Sequence, residues 1–145
     1  MQPQETQQYW QYVQNAGTTI QGIGHGIQAI LGLFDSIRSA PNLIYSQGWR
    51  IALCEQLDII ERHCCQASLL HPTEPQNGVH GNIIQIVSLM RYARNRILNG
   101  IAYRDRGILT EAGEAVGKAA TLVLAVSVEL KAAVMLAAQK EVDHG

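Results

Sequence analysis

Every long apolar pattern in this 145-residue chain has a period near 3.6 and none alternates, so the sequence builds helices and offers no half-buried strand. The constraint is tightest from Gly81 to Val116. Ile83, Ile86, Val87, Met90, Ala93, Ile97 and Ile101 recur there at three- and four-residue spacing, with Arg91, Arg94 and Arg96 between them. The pattern breaks at Tyr103-Arg104-Asp105-Arg106-Gly107 and resumes at Ile108 or Leu109. Glu111 and Glu114 fall in the opening turns of the new helix, where carboxylates suit the positive end of the dipole. Two helices joined by so short a turn make an antiparallel hairpin.

The flanking sequence supplies two more helices. Ile20, Ile23, Ile27, Ile30, Leu31, Phe34 and Ile37 form one apolar face between about Thr19 and Ser39. Gly22, Gly24 and Gly26 each weaken that helix by about 1 kcal/mol relative to alanine, so its first turns are expected to fray or to begin after Gly26. Residues 1–18 read as a flexible polar tail. Ala40-Pro41-Asn42 ends the first helix, and Ser46 caps a second that presents Trp49, Leu53, Leu57, Ile60 and Cys64 as far as about Leu69. Two prolines and a glycine make residues 71–78 a loop. The fourth helix, about Leu109 to Glu141, is the longest; Val123, Val126, Leu130 and Val134 are expected in the core, with Leu122 and Leu124 elsewhere. The expected fold is all-α: one domain over residues 1–145, an antiparallel up-and-down four-helix bundle.

A chain that is 47% hydrophobic and only 16% charged has more aliphatic surface than one bundle core consumes, which points to a partner. A homodimer burying the excess face satisfies the same pattern. The net charge of −1 argues against a general nucleic-acid binder. Arg91 and Arg94 lie near one another but Arg96 points away, so the bland expectation is a solvated edge with one arginine paired to Asp105 or Glu111. The polar start shows no secretory leader, and the apolar run Ala119 to Val128 is too short to span a bilayer. Three cysteines form no disulfide framework, and a cytoplasmic location is expected.

The segment Leu89-Met90-Arg91-Tyr92-Ala93-Arg94-Asn95-Arg96-Ile97-Leu98, then Asn99 through Asp105, then Ile108-Leu109-Thr110-Glu111 resembles the flagellar secretion chaperone family. The run Tyr9-Trp10-Gln11-Tyr12-Val13-Gln14 and the segment Ile30-Leu31-Gly32-Leu33-Phe34-Asp35 fall in the order that family uses. Resemblance covers most of residues 9 to 117, with departures: Asn99-Gly100-Ile101-Ala102 replaces the usual acidic-Ala-Asn step, and the Ser-Pro helix start is absent near His25. It implies a flagellin-type client, a disordered segment that folds as helices against the bundle, with delivery to the export apparatus. It also implies that Tyr9 and Tyr12 belong to an N-terminal segment lying over the client surface and moving aside. Physically this is helix-in-groove recognition. The third helix carries more apolar circumference than one core stripe needs, and Ile84 and Leu98, expected about two turns apart and off the stripe, are the residues expected to meet the client.

Chemistry is thin elsewhere. His63, Cys64, Cys65 and His71 carry zinc-type donors, but adjacent cysteines on a helix diverge by ~100° and the usual ligand spacing is missing. Gly22-Ile23-Gly24-His25-Gly26 follows no strand and so is no dinucleotide fingerprint. The stretch around His25 resembles the phosphoacceptor helix of histidine phosphotransfer bundles, although the acidic residue that usually follows the histidine is Gly26. No catalytic, cofactor or metal site is expected.

Overall fold

The computed structural model describes residues 3–144, which fold into four long α-helices with no strand among them: α1 (Pro3–Ser39), α2 (Gln47–Ala67), α3 (Asn77–Tyr103) and α4 (Arg106–His144). Short 3-10 turns, Pro41–Tyr45 and Glu74–Gln76, occupy the first two connections. The helices form a closed ring in chain order, with α4 returning beside α1. Named pairs fix the antiparallel register. Gly22 lies against His63 and Gly26 against Ile60, and the Trp49 indole N–H donates to the Leu33 carbonyl at 2.9 Å, so numbers rise along α1 as they fall along α2. Glu61 with Arg91 and Asp58 with Arg94 do the same for α2 and α3. Gly100 with Leu109 aligns α3 with α4, and Gly24 with Val123 and Phe34 with Gly113 align α1 with α4. This is the predicted up-and-down bundle.

The predicted stripes meet in one core: Ile20, Ile23, Ile27 and Ile30 from α1, Leu53 and Leu57 from α2, Ile83, Ile86, Met90 and Ile97 from α3, and Val116, Val123, Val126 and Leu130 from α4. Val134 is the exception, because it is exposed. Continuing the α3–α4 register places Asn77 beside about Lys131, so α4 beyond that point has no α3 neighbour to cover it.

The helix ends follow from local chemistry. Ser46 Oγ accepts the Trp49 amide at 3.4 Å and starts α2, as the spacing predicts. Arg104 ends α3 in the left-handed region at φ 52°, and its guanidinium sits 5.2 Å from the Tyr45 ring centroid. Asp105 Oδ1 then accepts the amides of Gly107 at 2.9 Å and Ile108 at 3.2 Å, so α4 begins at Arg106, earlier than the expected Ile108 or Leu109.

The N-terminal segment overturns two expectations. From Pro3 onward it is the first part of a continuous 37-residue helix, where a flexible polar tail was expected. Tertiary contacts supply the reason. Val13 and Ala16 enter the core, and Gln76, itself buried, donates its side-chain amide to the Tyr9 carbonyl at 3.1 Å while its Oε1 accepts from the Thr73 amide and hydroxyl. Nor do the glycines fray the helix. A Cβ on Gly22 would stand 2.4 Å from the His63 ring, and one on Gly26 would stand 2.4 Å from Ile60 Cγ1, so these two positions let α1 and α2 approach closely.

Candidate functional site

Three concavities on the described surface have linings that differ in kind. One of ≈ 790 Å³ lies between the start of α1 and residues 69–75 and is walled by Gln8, Gln11, Asn15 and loop residues. Another, ≈ 590 Å³, separates the end of α1 from the start of α4, with Asp35, Arg38, Arg106 and Glu114 around Phe34. The third, ≈ 760 Å³, is a groove along the α1–α4 seam. Its α1 wall includes Val13, Gly17, Ile20 and Ile27 with Gln21 and Gln28 at the edge; its α4 wall includes Val123, Leu124, Leu130 and Val134, with Met135 and Lys131 toward the open end. Of these three, this groove is the one lined mainly by aliphatic side chains over several turns of two helices. Gly17 and Gly24 leave its floor low, and no atom lies within 4 Å of where a Gly17 side chain would begin.

The groove is continuous with apolar surface. Leu124, Val128 and Met135 are 68%, 67% and 71% exposed on α4, well beyond a stray surface leucine. The most apolar 18-residue stretch within Arg106–Leu136 has a mean hydropathy of 1.9, and that helix is long and apolar enough, by length and composition alone, to cross a membrane. The apolar character thus continues past Glu129 and Lys131, beyond the Ala119–Val128 run legible in the sequence. In this fold one face of that span is the bundle core.

The four residues expected to meet a client lie elsewhere. Ile84 and Leu98 are 55% and 40% exposed, off the core stripe as predicted. They are fourteen residues apart, nearly four turns or ~21 Å rather than two turns. Arg91 stands seven residues from each on the same side of α3, and its guanidinium bonds Glu61 at 3.2 Å. That ion pair, with Arg94–Asp58 beside it, stands between Ile84 and Leu98 on the α3 surface. Tyr12 is 2% exposed, with its ring in the core and its hydroxyl 2.9 Å from His80 Nδ1. Tyr9 is half-buried and stacks edge-on against Trp10. Both tyrosines lie within α1 and not on a tail. The N-terminal segment does wall the groove, through Val13, Gly17 and Ile20.

Arg96 pairs with Glu111 across the α3–α4 hairpin, one of the two partners expected for a single arginine of this cluster, but Arg91 and Arg94 are paired as well, with Glu61 and Asp58 of α2. His25 is exposed at the edge of the groove, between Gln21 and Gln28. Among the described residues no group of three His, Cys, Asp or Glu side chains is placed to share a metal ion. Burial pushes the Tyr12 hydroxyl up to about 12 and lowers His80 from its ordinary value, consistent with a structural pair inside the bundle.

The cysteines divide by burial. Burial, with the nearby Glu61 carboxylate adding to it, raises the Cys64 thiol to about 11, whereas Cys65 is exposed. Iodoacetamide at mildly alkaline pH is therefore expected to label Cys65 in the folded protein and Cys64 only after denaturation. Mass spectrometry of the two states checks this; rapid native labelling of Cys64 would mean that the α2 core face opens readily.

No protein-family model, no curated protein and no solved structure matches this chain.

Proposed function

We propose that this protein is a cytoplasmic helix-binding chaperone, holding one amphipathic helix of a flagellin-type client in the α1–α4 groove until export. The observation that carries the reading is the groove itself: aliphatic walls on two antiparallel helices, a floor lowered by Gly17 and Gly24, and a polar edge of Gln21, His25 and Gln28 on α1. Such a trough suits the apolar stripe of a helix, whose anchors at i, i+3, i+4 and i+7 replace water along the seam. The client class rests on the resemblance of residues 9–117 to flagellar secretion chaperones. The reading assigns no catalysis and no cofactor: covering the client's apolar face is the whole activity, and transfer to the export apparatus would release it.

Gly17→Glu tests the site. Nothing lies within 4 Å of the new Cβ, and glutamate is a better helix former than glycine by roughly 0.5–1 kcal/mol, so the bundle is expected to melt at or above the wild-type temperature. A carboxylate on the groove floor must be desolvated when an apolar helix docks. Affinity for a labelled peptide from a flagellin C-terminal helix, measured by fluorescence anisotropy, is expected to fall more than tenfold, a cost above about 1.4 kcal/mol. Wild-type protein that ignores the peptide would defeat the flagellin reading. Equal binding by wild type and variant would move the site off the groove.

A further inference from the structure

Outside the core stripe, α4 carries a second regular pattern. Gly117, Thr121, Leu124, Val128, Lys131 and Met135 follow one another at alternating four- and three-residue steps, the spacing of a coiled-coil seam, and they lie on the side of α4 turned away from the bundle interior. We infer that this seam is a self-association surface, on which α4 of a second copy packs antiparallel about a twofold axis between Leu124 and Val128.

The order of side chains along the seam is self-complementary under that one operation. At the centre Leu124 of each copy faces Val128 of the other, the two most apolar positions meeting twice. One layer out, Lys131 faces Thr121, where its methylene stem covers the threonine methyl and its ammonium reaches the edge. At the ends Met135, 71% exposed, faces Gly117, beside which no atom lies within 4 Å. A long flexible side chain is thus matched to an empty place. A parallel arrangement would instead stack Lys131 on Lys131 and Gly117 on Gly117.

The area suits a transient contact. At about two-thirds exposure, Leu124, Val128 and Met135 each leave roughly 100 Å² in water; with the flanking rows, two copies cover on the order of 1,000 Å², the lower bound for a specific interface. Acidic and basic residues alternate along the borders of the seam, with Glu114, Lys118 and Glu129, and so lack the Lys/Arg-rich face of a helix that lies on a membrane. The inference stands apart from the client reading, although Leu124, Lys131 and Met135 also wall the groove, so self-association and client binding compete.

Sedimentation equilibrium of the full chain alone, without client, tests it. A concentration-dependent mass rising from 15.9 kDa toward twice that value is expected in the micromolar range. Leu124→Glu and, separately, Gly117→Leu are expected to weaken association at least tenfold with melting temperatures at or above wild type, since the first side chain is exposed and the second enters open space. Any one of three outcomes overturns the proposal: wild type that stays at 15.9 kDa throughout, variants that associate as well as wild type, or a monomer that co-sediments with phosphatidylcholine vesicles, which would give the stripe to a bilayer.

Discussion

Met90→Glu is expected to abolish the folded bundle, while Leu98→Glu, eight residues further along α3, leaves its melting temperature within a few degrees of wild type. Met90 is 2% exposed on the stripe shared with Ile83, Ile86, Ala93 and Ile97. A carboxylate there has no cation in reach along that stripe and costs several kcal/mol to bury, a large part of the roughly 5–15 kcal/mol that holds such a domain together. At the exposed Leu98 the same substitution costs only about 0.5 kcal/mol. Thermal melts followed by far-ultraviolet circular dichroism check the pair. If Leu98→Glu melts as badly as Met90→Glu, α3 is rotated from the orientation described.

Gly26→Leu and Gly32→Leu are expected to act in opposite directions. The first places a branched side chain where even a Cβ would stand 2.4 Å from Ile60 Cγ1, so α1 and α2 must separate. Overpacking of this kind costs roughly 3 kcal/mol, and after the gain in helix propensity of about 1 kcal/mol the melting temperature still falls by several degrees. At Gly32 no atom lies within 4 Å of the added Cβ, so the propensity gain stands alone and the protein is stabilised by up to about 1 kcal/mol. Equal effects at both positions would mean that the glycines do not set the α1–α2 distance.

The two glycines also show where sequence reading stops. Their local cost is legible as propensity, and it points toward fraying. Their benefit is not, because it resides in Ile60 and His63, more than thirty residues away. Residues 3–18 lie beyond local reading for the same reason: a glutamine-rich segment has a weak apolar pattern, and what orders it is a tertiary hydrogen bond to Gln76 together with Val13 and Ala16 in the core. Where local chemistry decides, the sequence was sufficient. Ser46 caps α2, the third-helix stripe is buried at Ile83, Ile86, Met90, Ala93 and Ile97 with Val87 partly buried beside them, and one arginine, Arg96, pairs with Glu111 across the hairpin.

The groove was less legible than the fold. Exposure of Ile84 and Leu98 follows from their angle on α3, but the Arg91–Glu61 ion pair standing between them depends on where α2 packs, which no local pattern carries. The α1–α4 seam needed the register between the two ends of the chain, which no local pattern carries. Leu124, off the core stripe, was its one visible trace. Periodicity puts Val134 on the core stripe and does not reveal that α3 begins too late to cover it.

The central claim is that a client helix lies between α1 and α4. Titration of isotopically labelled protein with the flagellin-type peptide, followed by amide chemical-shift changes, tests it most directly. The expected result is a cluster of perturbed signals at Gly17, Gly24, Gln28 and Val134, with Ile84 and Leu98 unmoved. Shifts centred on Ile84 and Leu98, or no shifts at saturating peptide, would contradict it.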